Sequence, residues 1–301
     1  MKQYILLFLL IACAGFSKAQ WEPTLGLTRG NVSGFASNEK YVFASTSGAG
    51  VFVFNDSAQR WLPINSGLST KNINSIITND SGLVVGTDEG IFLSDANYSR
   101  WKSADKTMAT KNVQAIRAVN NALYAATNGG GIFTCAGQSH SWTAVNNGIN
   151  NLNTFCIFSQ NKILFTGTTG SGVFLSSDSG ATWFSSTNGL PENAVVYCFA
   201  ARDSFLFVGL QGGIYLSVNN GLSWKAAGLK NKNVQTILVD GSNLYAGIYG
   251  QGIYLSTSMG ADWRVMNEGL SNVYVNSLKK YKNDILAGTD GGGVFRLALN
   301  H

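Results

Sequence analysis

Charged residues, prolines and histidines are all scarce in this chain. Charged side chains make up 12% of its 301 residues, against about 25% in an ordinary soluble domain. The formal net charge is only +5, which does not favour a nucleic-acid partner. Disorder is also excluded, because β-branched, aromatic and turn-forming residues are abundant and highly charged segments are missing. With 35 glycines and 3 prolines, the composition is typical of an all-β protein with many turns.

Metal and cofactor sites are not indicated by the residues present. The only histidines are His140 and His301, and no Cys/His cluster has the spacing of metal ligands. The glycine runs Gly129–Gly131 and Gly291–Gly293 match hairpin turns, and the chain contains no phosphate-binding loop. We therefore expect neither a metal nor a cofactor.

Residues 1–19 have the features of a secretory signal, which removes one of the four cysteines. Lys2 precedes an apolar run from Tyr4 to Ala14 that is too short to span a membrane, and cleavage after Ala19 would release residues 20–301 as one domain. The alternative is a lipobox at Leu10–Cys13, with Cys13 carrying a lipid anchor. No later segment is long and apolar enough for a membrane helix. Both alternatives predict an exported protein of a bacterial envelope, periplasmic, at the cell surface or secreted.

An odd number of cysteines follows Ala19, which argues against a disulfide framework. Cys156 and Cys198 fall on the first strands of neighbouring repeats. Aligned by their repeats they stand one position apart, so we expect them to face different sides. Buried free thiols and a Cys156–Cys198 bridge both remain open.

Tryptophan recurs at an almost constant interval. The seven residues are separated by 39 to 41 positions: Trp21, Trp61, Trp101, Trp142, Trp183, Trp224 and Trp263. A period of about 40 residues is that of the four-stranded blade of a β-propeller. The sequence thus predicts an all-β, seven-bladed propeller.

The two ends of the chain complement each other. The chain opens with a tryptophan strand that has no blade before it, and it ends with a three-strand repeat, Val275 to Leu297, that has no tryptophan. We expect the N-terminal strand to complete the last blade, which would close the ring and remove free sheet edges. A closed ring of this size is expected to be a monomer.

A serine- and glycine-containing turn precedes several tryptophans. Its fullest form comprises Ser176, Asp178, Gly180, Thr182 and Trp183, and a variant contains Asn219, Gly221 and Trp224. This pattern resembles the Asp-box of BNR-like propellers, such as sialidases, xyloglucanases, sortilin-type receptors and photosystem assembly factors. Other segments, such as Asn243–Gly247 followed by Gly252–Ser256, resemble the sensor propellers of two-component regulators. The resemblance implies a structural role for the box. Before Trp101 and Trp142 the box is interrupted, with Ala96 and Gly137 at its Asp position.

Catalysis finds little support in the residues. Sialidase chemistry, as the resemblance implies it, requires three arginines and a Phe/Tyr-Arg-Ile/Leu-Pro motif, but Phe295-Arg296-Leu297 lacks the proline. Xyloglucanases join two propellers, whereas this repeat forms one. The remaining enzymatic alternative is a glycoside hydrolase or lyase with an axial carboxylate pair, Asp88 and Asp290.

The favoured hypothesis is an exported, non-catalytic binding or scaffolding module. It would recognise a protein or glycan through the loops between the second and third strands of each blade and the loops that enter each first strand. Lys232 and Tyr274 lie in the entry loops. The predicted ligand residues in the other loops are Asp88, Glu89, Asn128, Gln211, Tyr249, Gln251 and Asp290.

Overall fold

Short turns divide the chain into strands that pair with their sequence neighbours. The computed structural model describes residues 20–28, 30–137 and 141–299, and within these ranges the chain forms 28 strands and one 3-10 helix. The predicted signal sequence, including Cys13, lies outside the described residues, as do His140 and His301.

The strands form seven antiparallel four-stranded sheets, which are the blades of a propeller. The first strand of the chain, β1 (Trp21–Pro23), is the outer strand of blade 7. Blades 1 to 3 comprise β2 (Asn31–Ser37), β3 (Val42–Ser47), β4 (Gly50–Asn55), β5 (Arg60–Pro63), β6 (Ile73–Asn79), β7 (Gly82–Thr87), β8 (Gly90–Ser94), β9 (Trp101–Ser103), β10 (Asn112–Val119), β11 (Ala122–Asn128), β12 (Gly131–Ala136) and β13 (Thr143–Ala144). Blades 4 to 6 comprise β14 (Thr154–Gln160), β15 (Ile163–Thr168), β16 (Val173–Ser176), β17 (Phe184–Ser185), β18 (Val196–Arg202), β19 (Phe205–Leu210), β20 (Gly213–Ser217), β21 (Lys225–Ala226), β22 (Val234–Asp240), β23 (Asn243–Ile248), β24 (Gly252–Ser256) and β25 (Arg264–Val265). Blade 7 adds β26 (Val275–Tyr281), β27 (Asp284–Thr289) and β28 (Gly293–Ala298).

The ring closes as the sequence predicts. β1 pairs antiparallel with β28, with Trp21 opposite Leu297. The junction between blades 7 and 1 is reinforced where the backbone N–H of Trp61 donates to Leu25 O at 2.8 Å and Lys282 Nζ lies 2.9 Å from Asp56 Oδ2. The seven-bladed architecture and its closure by the N-terminal strand are therefore confirmed.

The core is divided into clusters between neighbouring blades. In the described chain there are seven such clusters, each formed by apolar residues of two adjacent blades. The cluster between blades 3 and 4, for example, contains Ile132, Phe174 and Trp183, all 2% exposed or less. Because each blade buries its apolar faces only against its neighbours, the complete ring is needed to exclude water from all of them.

The tryptophans fasten each blade to the one before it. The indole N–H of Trp183 donates to Val145 O at 2.8 Å, and its backbone N–H donates to Asn147 O at 2.8 Å, both in the outer-strand region of blade 3. Trp21, Trp101, Trp224 and Trp263 likewise donate their indole N–H to a carbonyl of the preceding blade. A buried indole thus satisfies its one donor while its ring fills the gap between two sheets.

The Ser176–Trp183 turn is stabilised by its own side chains. The Asp178 carboxylate accepts hydrogen bonds from the Thr182 backbone N–H at 2.9 Å, the Thr182 hydroxyl at 2.5 Å and the Ser176 hydroxyl at 2.7 Å. These bonds, led by the one from the Thr182 hydroxyl, lower the pKa of Asp178 to about 2. Asn219 accepts the equivalent bond from the Ser223 backbone N–H at 3.0 Å.

The interrupted box before Trp101 keeps the same type of turn in a shifted register. Asp95, one residue before Ala96, accepts hydrogen bonds from the Ser99 backbone N–H at 2.7 Å and the Ser99 hydroxyl at 2.6 Å. These bonds lower the pKa of Asp95, the hydroxyl having the largest effect. The sequence pattern missed this turn because it fixes the Asp at one position relative to the tryptophan.

The expectation that Cys156 and Cys198 face different sides is wrong. Each pairs with the glycine of its second strand, Gly167 and Gly209 respectively, so they occupy equivalent register positions. The error has a physical cause: the loop entering blade 5 is one residue longer than the loop entering blade 4, so counting through the loop shifts the alignment. Both thiols are free, and burial raises the pKa of Cys156 and raises that of Cys198 to about 12.

Candidate functional site

Two sets of loops meet on one face of the propeller. Isolated β-bridges join the loop between the second and third strands of one blade to the segment that enters the first strand of the next. The bridged pairs are Asn31–Asp290, Ser47–Asn72, Asn128–Asn153, Thr169–Val195 and Gln211–Asn233. These loops therefore lie on one side of the propeller, bridged at five of its seven blade junctions, and we call this side the loop face.

The predicted ligand residues all lie on the loop face. Six of the seven are exposed: Asp88, Glu89, Asn128, Gln211, Tyr249 and Gln251. Asp290 is half-buried, and its backbone is held by hydrogen bonds to Tyr274 and Asn272. Gln211 is anchored through its backbone N–H, which donates to Val195 O at 3.0 Å, so its side chain is presented from a fixed position.

Blades 6 and 7 bring four of the loop-face residues into two contacts. The rings of Tyr249 and Tyr274 pack edge to face with centroids 5.0 Å apart, although 43% and 46% of these residues stay exposed. Lys232 donates a hydrogen bond to Gln251 Oε1, and its ammonium group lies 5.0 Å from the centroid of the Tyr254 ring. This region thus combines exposed aromatic surface with a cation and an amide.

The acidic residues of blade 2 are bound by their own loops. Asp88 accepts one hydrogen bond from Thr70 Oγ1 and another from Asn72 Nδ2, both at 2.8 Å. Glu89 accepts from Ser69 Oγ at 2.7 Å. These bonds tie the loop between β7 and β8 to the segment entering β6, so both carboxylates hold the loops together.

A feature that the sequence reasoning missed lies at the axis. The first strand of every blade carries a β-bulge at the same register, where one residue is left out of the pairing with the second strand. The unpaired residues are Ser33, Asn74, Gln114, Phe155, Tyr197, Gln235 and Asn276, which we call the axial ring. All seven line a cavity of about 450 Å³ along the axis. Bulges commonly redirect a side chain in this way.

The axial ring has a polar and an aromatic side. Five members are serine, asparagine or glutamine, and the other two are aromatic: Phe155 and Tyr197 pack edge to face with centroids 5.7 Å apart. Burial raises the pKa of Tyr197, so its phenol remains protonated near neutral pH. None of the described residues lining this cavity is charged, and neither Asp88 nor Asp290 is among them. A sequence signal for the axial ring does exist: in most blades an asparagine stands at the start of the first strand, and the ring residue follows two positions later, as Gln114 follows Asn112.

Part of the axial ring is fixed by hydrogen bonds within the protein. Asn74 Nδ2 donates to Asn112 Oδ1 at 3.1 Å and to Val113 O at 3.0 Å, and Gln114 Nε2 donates to Asn112 Oδ1 at 2.7 Å. Asn276 Nδ2 donates to Asn31 Oδ1 at 2.7 Å. These bonds use the N–H groups of the amides and hold the side chains in place.

Membrane-spanning helices and metal clusters are not found in the described ranges. No helix there has the length and apolar character needed to cross a membrane. Residues 20–28, 30–137 and 141–299 also contain no group of three or more His, Cys, Asp or Glu side chains placed to hold a metal ion.

Comparisons with known proteins agree with this architecture. The model of the DUF6242 β-propeller domain matches residues 151–278. No curated protein matches the chain.

Several solved structures resemble the chain over nearly its whole length. The extracellular domain of BT4673 from B. thetaiotaomicron, assigned to the hybrid two-component systems, has a TM-score of 0.81 at 17% identity, and the match covers 93% of this chain and 40% of that one. The GH74 xyloglucanase from Xanthomonas campestris has a TM-score of 0.74 at 14% identity, covering 94% of this chain and 54% of that one.

A smaller neighbour matches over its full length. YCF48, solved bound to a peptide, has a TM-score of 0.73 at 14% identity, covering 94% of this chain and 98% of that one. This chain spans about 40% of the length of the B. thetaiotaomicron domains that it matches. At these identities, the likenesses establish that the chain is a β-propeller.

Proposed function

We propose that this protein is a non-catalytic binding module that recognises a glycan or protein partner with its loop face. The observation that carries the proposal is the cluster in blades 6 and 7, where the exposed Tyr249–Tyr274 pair lies beside the Lys232–Gln251 contact. Tyrosine offers a large rigid surface with a polar end, which suits recognition at a water-exposed site. The axial cavity is lined by residues from the first strands of the blades. Its volume of about 450 Å³ falls within the range of small-ligand sites.

We further propose that the chain is an Asp-box propeller that acts as a monomer outside the cytoplasm. The hydrogen bonds around Asp178 and Asn219 support the first point. Export is supported by the pattern of residues 1–19 and by the extracellular origin of the B. thetaiotaomicron neighbours. Cleavage after Ala19 and lipidation at Cys13 remain alternative routes, which mass spectrometry of the N-terminus distinguishes.

The glycoside hydrolase alternative has no observation in its favour. It requires two carboxylates aimed at one bond. Asp88 is held by Thr70 and Asn72, and the backbone of Asp290 is held by Asn272 and Tyr274. Screening on polysaccharides with Asp88→Asn and Asp290→Asn as controls is the test that would revive it.

Partner capture with matched variants tests the proposed face. Tyr249→Ala and Gln211→Ala should each weaken capture of a glycan or protein partner, because both side chains are exposed on the loop face. Leu222→Ala is the control, since Leu222 is 66% exposed on a turn between third and fourth strands, at the opposite face. Unchanged capture by both loop-face variants would overturn this choice of face.

A further inference from the structure

The axial ring presents unused hydrogen-bond acceptors to the cavity. Asn74, Gln114 and Asn276 use their amide N–H groups within the protein, as described above. Among the described residues, none donates to the side-chain oxygens of these three amides, and the Gln235 amide has no protein partner at either end. The polar side of the ring is therefore a set of oriented oxygens, together with one amide that can both donate and accept.

The charge of the lining limits what the cavity can bind. An anion would require cationic side chains or clustered N–H donors, and a cation would require a carboxylate. The described lining contains neither an acid nor a base, and its amide oxygens would repel an anion. The chemistry of the ring therefore favours an uncharged ligand that is rich in hydrogen-bond donors.

The aromatic side of the ring adds a second requirement. Phe155 and Tyr197 stand in adjacent blades, meet edge to face and both line the cavity, so they give it an aromatic surface and one phenol group. A ligand that fills the cavity would place an apolar surface against these rings and its donors against the amides. Sugars have this two-sided character, with C–H groups on one face and hydroxyls around the edge.

We propose that the axial cavity binds the end of an uncharged saccharide, with sugar hydroxyls donating to the oxygens of Asn74, Gln114 and Gln235 and a C–H face packed on Phe155 and Tyr197. This proposal rests on the loop face being the binding face, because the ligand must enter across it. The cavity volume of about 450 Å³ leaves room for about one or two sugar units, so the rest of a longer glycan would lie on the loop face.

Binding to a defined panel tests the proposal. The purified protein is titrated calorimetrically with uncharged oligosaccharides of glucose, xylose, mannose and galactose. Sialyllactose and oligogalacturonate serve as charged probes, and a library of unmodified hexapeptides represents the peptide alternative. We expect binding of at least one uncharged oligosaccharide and none of the charged ones. Failure of every uncharged probe at millimolar concentration, or binding of the peptides alone, overturns the proposal.

Variants then locate the site. Gln235→Ala should weaken saccharide binding about threefold to tenfold, the range of one lost hydrogen bond. Phe155→Leu, which keeps the site apolar, should weaken it by a similar factor through lost ring contact. Thermal unfolding of each variant shows whether it is folded. Gln235 is the safer site because its side-chain amide has no hydrogen-bond partner among the described residues.

The two proposals fail in different ways. Suppose that Tyr249→Ala and Gln211→Ala lose saccharide binding while Gln235→Ala and Phe155→Leu bind fully. That result supports the loop face as the binding surface and overturns the axial cavity as a binding site. Loss in the axial variants alone supports binding in the axial cavity and overturns recognition by the loop-face residues Tyr249 and Gln211. Full binding in all four variants overturns both.

Discussion

The propeller contains two rings of side chains that are repeated in opposite ways. Near the outer strands, the same residue type, tryptophan, stands in every blade and donates its indole N–H across the blade junction in most of them. At the axis, the same backbone bulge recurs in every blade, yet its seven side chains range from serine to tyrosine. The seven tryptophans, which we call the outer ring, thus repeat the same side chain, whereas the axial ring repeats only the backbone bulge.

The difference separates what the fold requires from what it permits. An inter-blade junction needs a large ring and one donor, and tryptophan supplies both. The bulge directs its side chain into a cavity, where packing imposes no single shape, so the residue type there can vary from blade to blade. Only some members, such as Asn74, also donate hydrogen bonds across a blade junction. Variable side chains on a constant backbone position are what a recognition site needs, whereas identical ones indicate structure.

The largest expected effect is at the outer ring. Trp183→Ala removes a ring that is 2% exposed and its hydrogen bond to Val145 O. We expect a loss of about 3–5 kcal/mol in the free energy of unfolding, measured by chemical denaturation. Phe184→Ala, at the next residue in the sequence, is the matched control. Because Phe184 is 60% exposed, its replacement should change the free energy of unfolding by less than about 0.5 kcal/mol. A Trp183 effect below about 1 kcal/mol would contradict its role between blades.

A second prediction concerns Gly148, the glycine that lies against the backbone of Trp183. Gly148 has φ +95°, and a Cβ there would lie 2.0 Å from Trp183 O, whereas Gly170 has φ +104° with open space around it. Gly148→Ala should cost about 2–4 kcal/mol, from backbone strain together with the clash. Gly170→Ala should cost only the strain, about 1–2 kcal/mol. Equal losses in the two denaturation curves would show that the approach of blade 4 to blade 3 is looser than described.

The third prediction is a pH dependence. Because the pKa of Asp178 falls from 3.8 to about 2 on folding, its contribution to stability is present above about pH 4 and is lost as the pH falls towards 2. The denaturation midpoint of Asp178→Asn should therefore approach that of the wild type between pH 5 and pH 2. Asn219→Asp should acquire the same dependence, since Asn219 accepts the equivalent hydrogen bond. Parallel pH profiles for the wild type and Asp178→Asn would contradict the carboxylate's role in the turn.

The sequence predicted the repeated ring and not the variable one, for a physical reason. The spacing of Trp21 to Trp263 is visible because the same side chain is needed at every junction, and that spacing led to the blade number and the closure by β1. The bulge of Gln114 or Tyr197 is a backbone property shared by unlike side chains, so the side chains themselves do not mark it. The asparagine two residues earlier marks the bulge in most blades but not in all: Asn112 precedes Gln114, but no asparagine stands two residues before Tyr197.

The strand register could not be predicted from the sequence where a loop changed length. The extra residue before β18 moved Cys198 into the position equivalent to Cys156, and the Asp95 turn kept its hydrogen bonds one residue out of step with the pattern. The predicted loop face residues required no such detail, because strand alternation alone places those loops on one side. Their contacts, such as Tyr249 with Tyr274 across two blades, came only from the structure.

The smallest expected effect tests the contrast between the rings directly. Gln235→Ala should leave the free energy of unfolding within about 0.5 kcal/mol of the wild type, because its side-chain amide has no hydrogen-bond partner among the described residues. Asn74→Ala, at the same bulge position in blade 2, should cost about 0.5–1.5 kcal/mol, because it loses its bonds to Asn112 and Val113. If urea denaturation shows Gln235→Ala to be as costly as Asn74→Ala, Gln235 is held by the fold. Its position would then belong with the structural outer ring, and the division between the rings would fail at that blade.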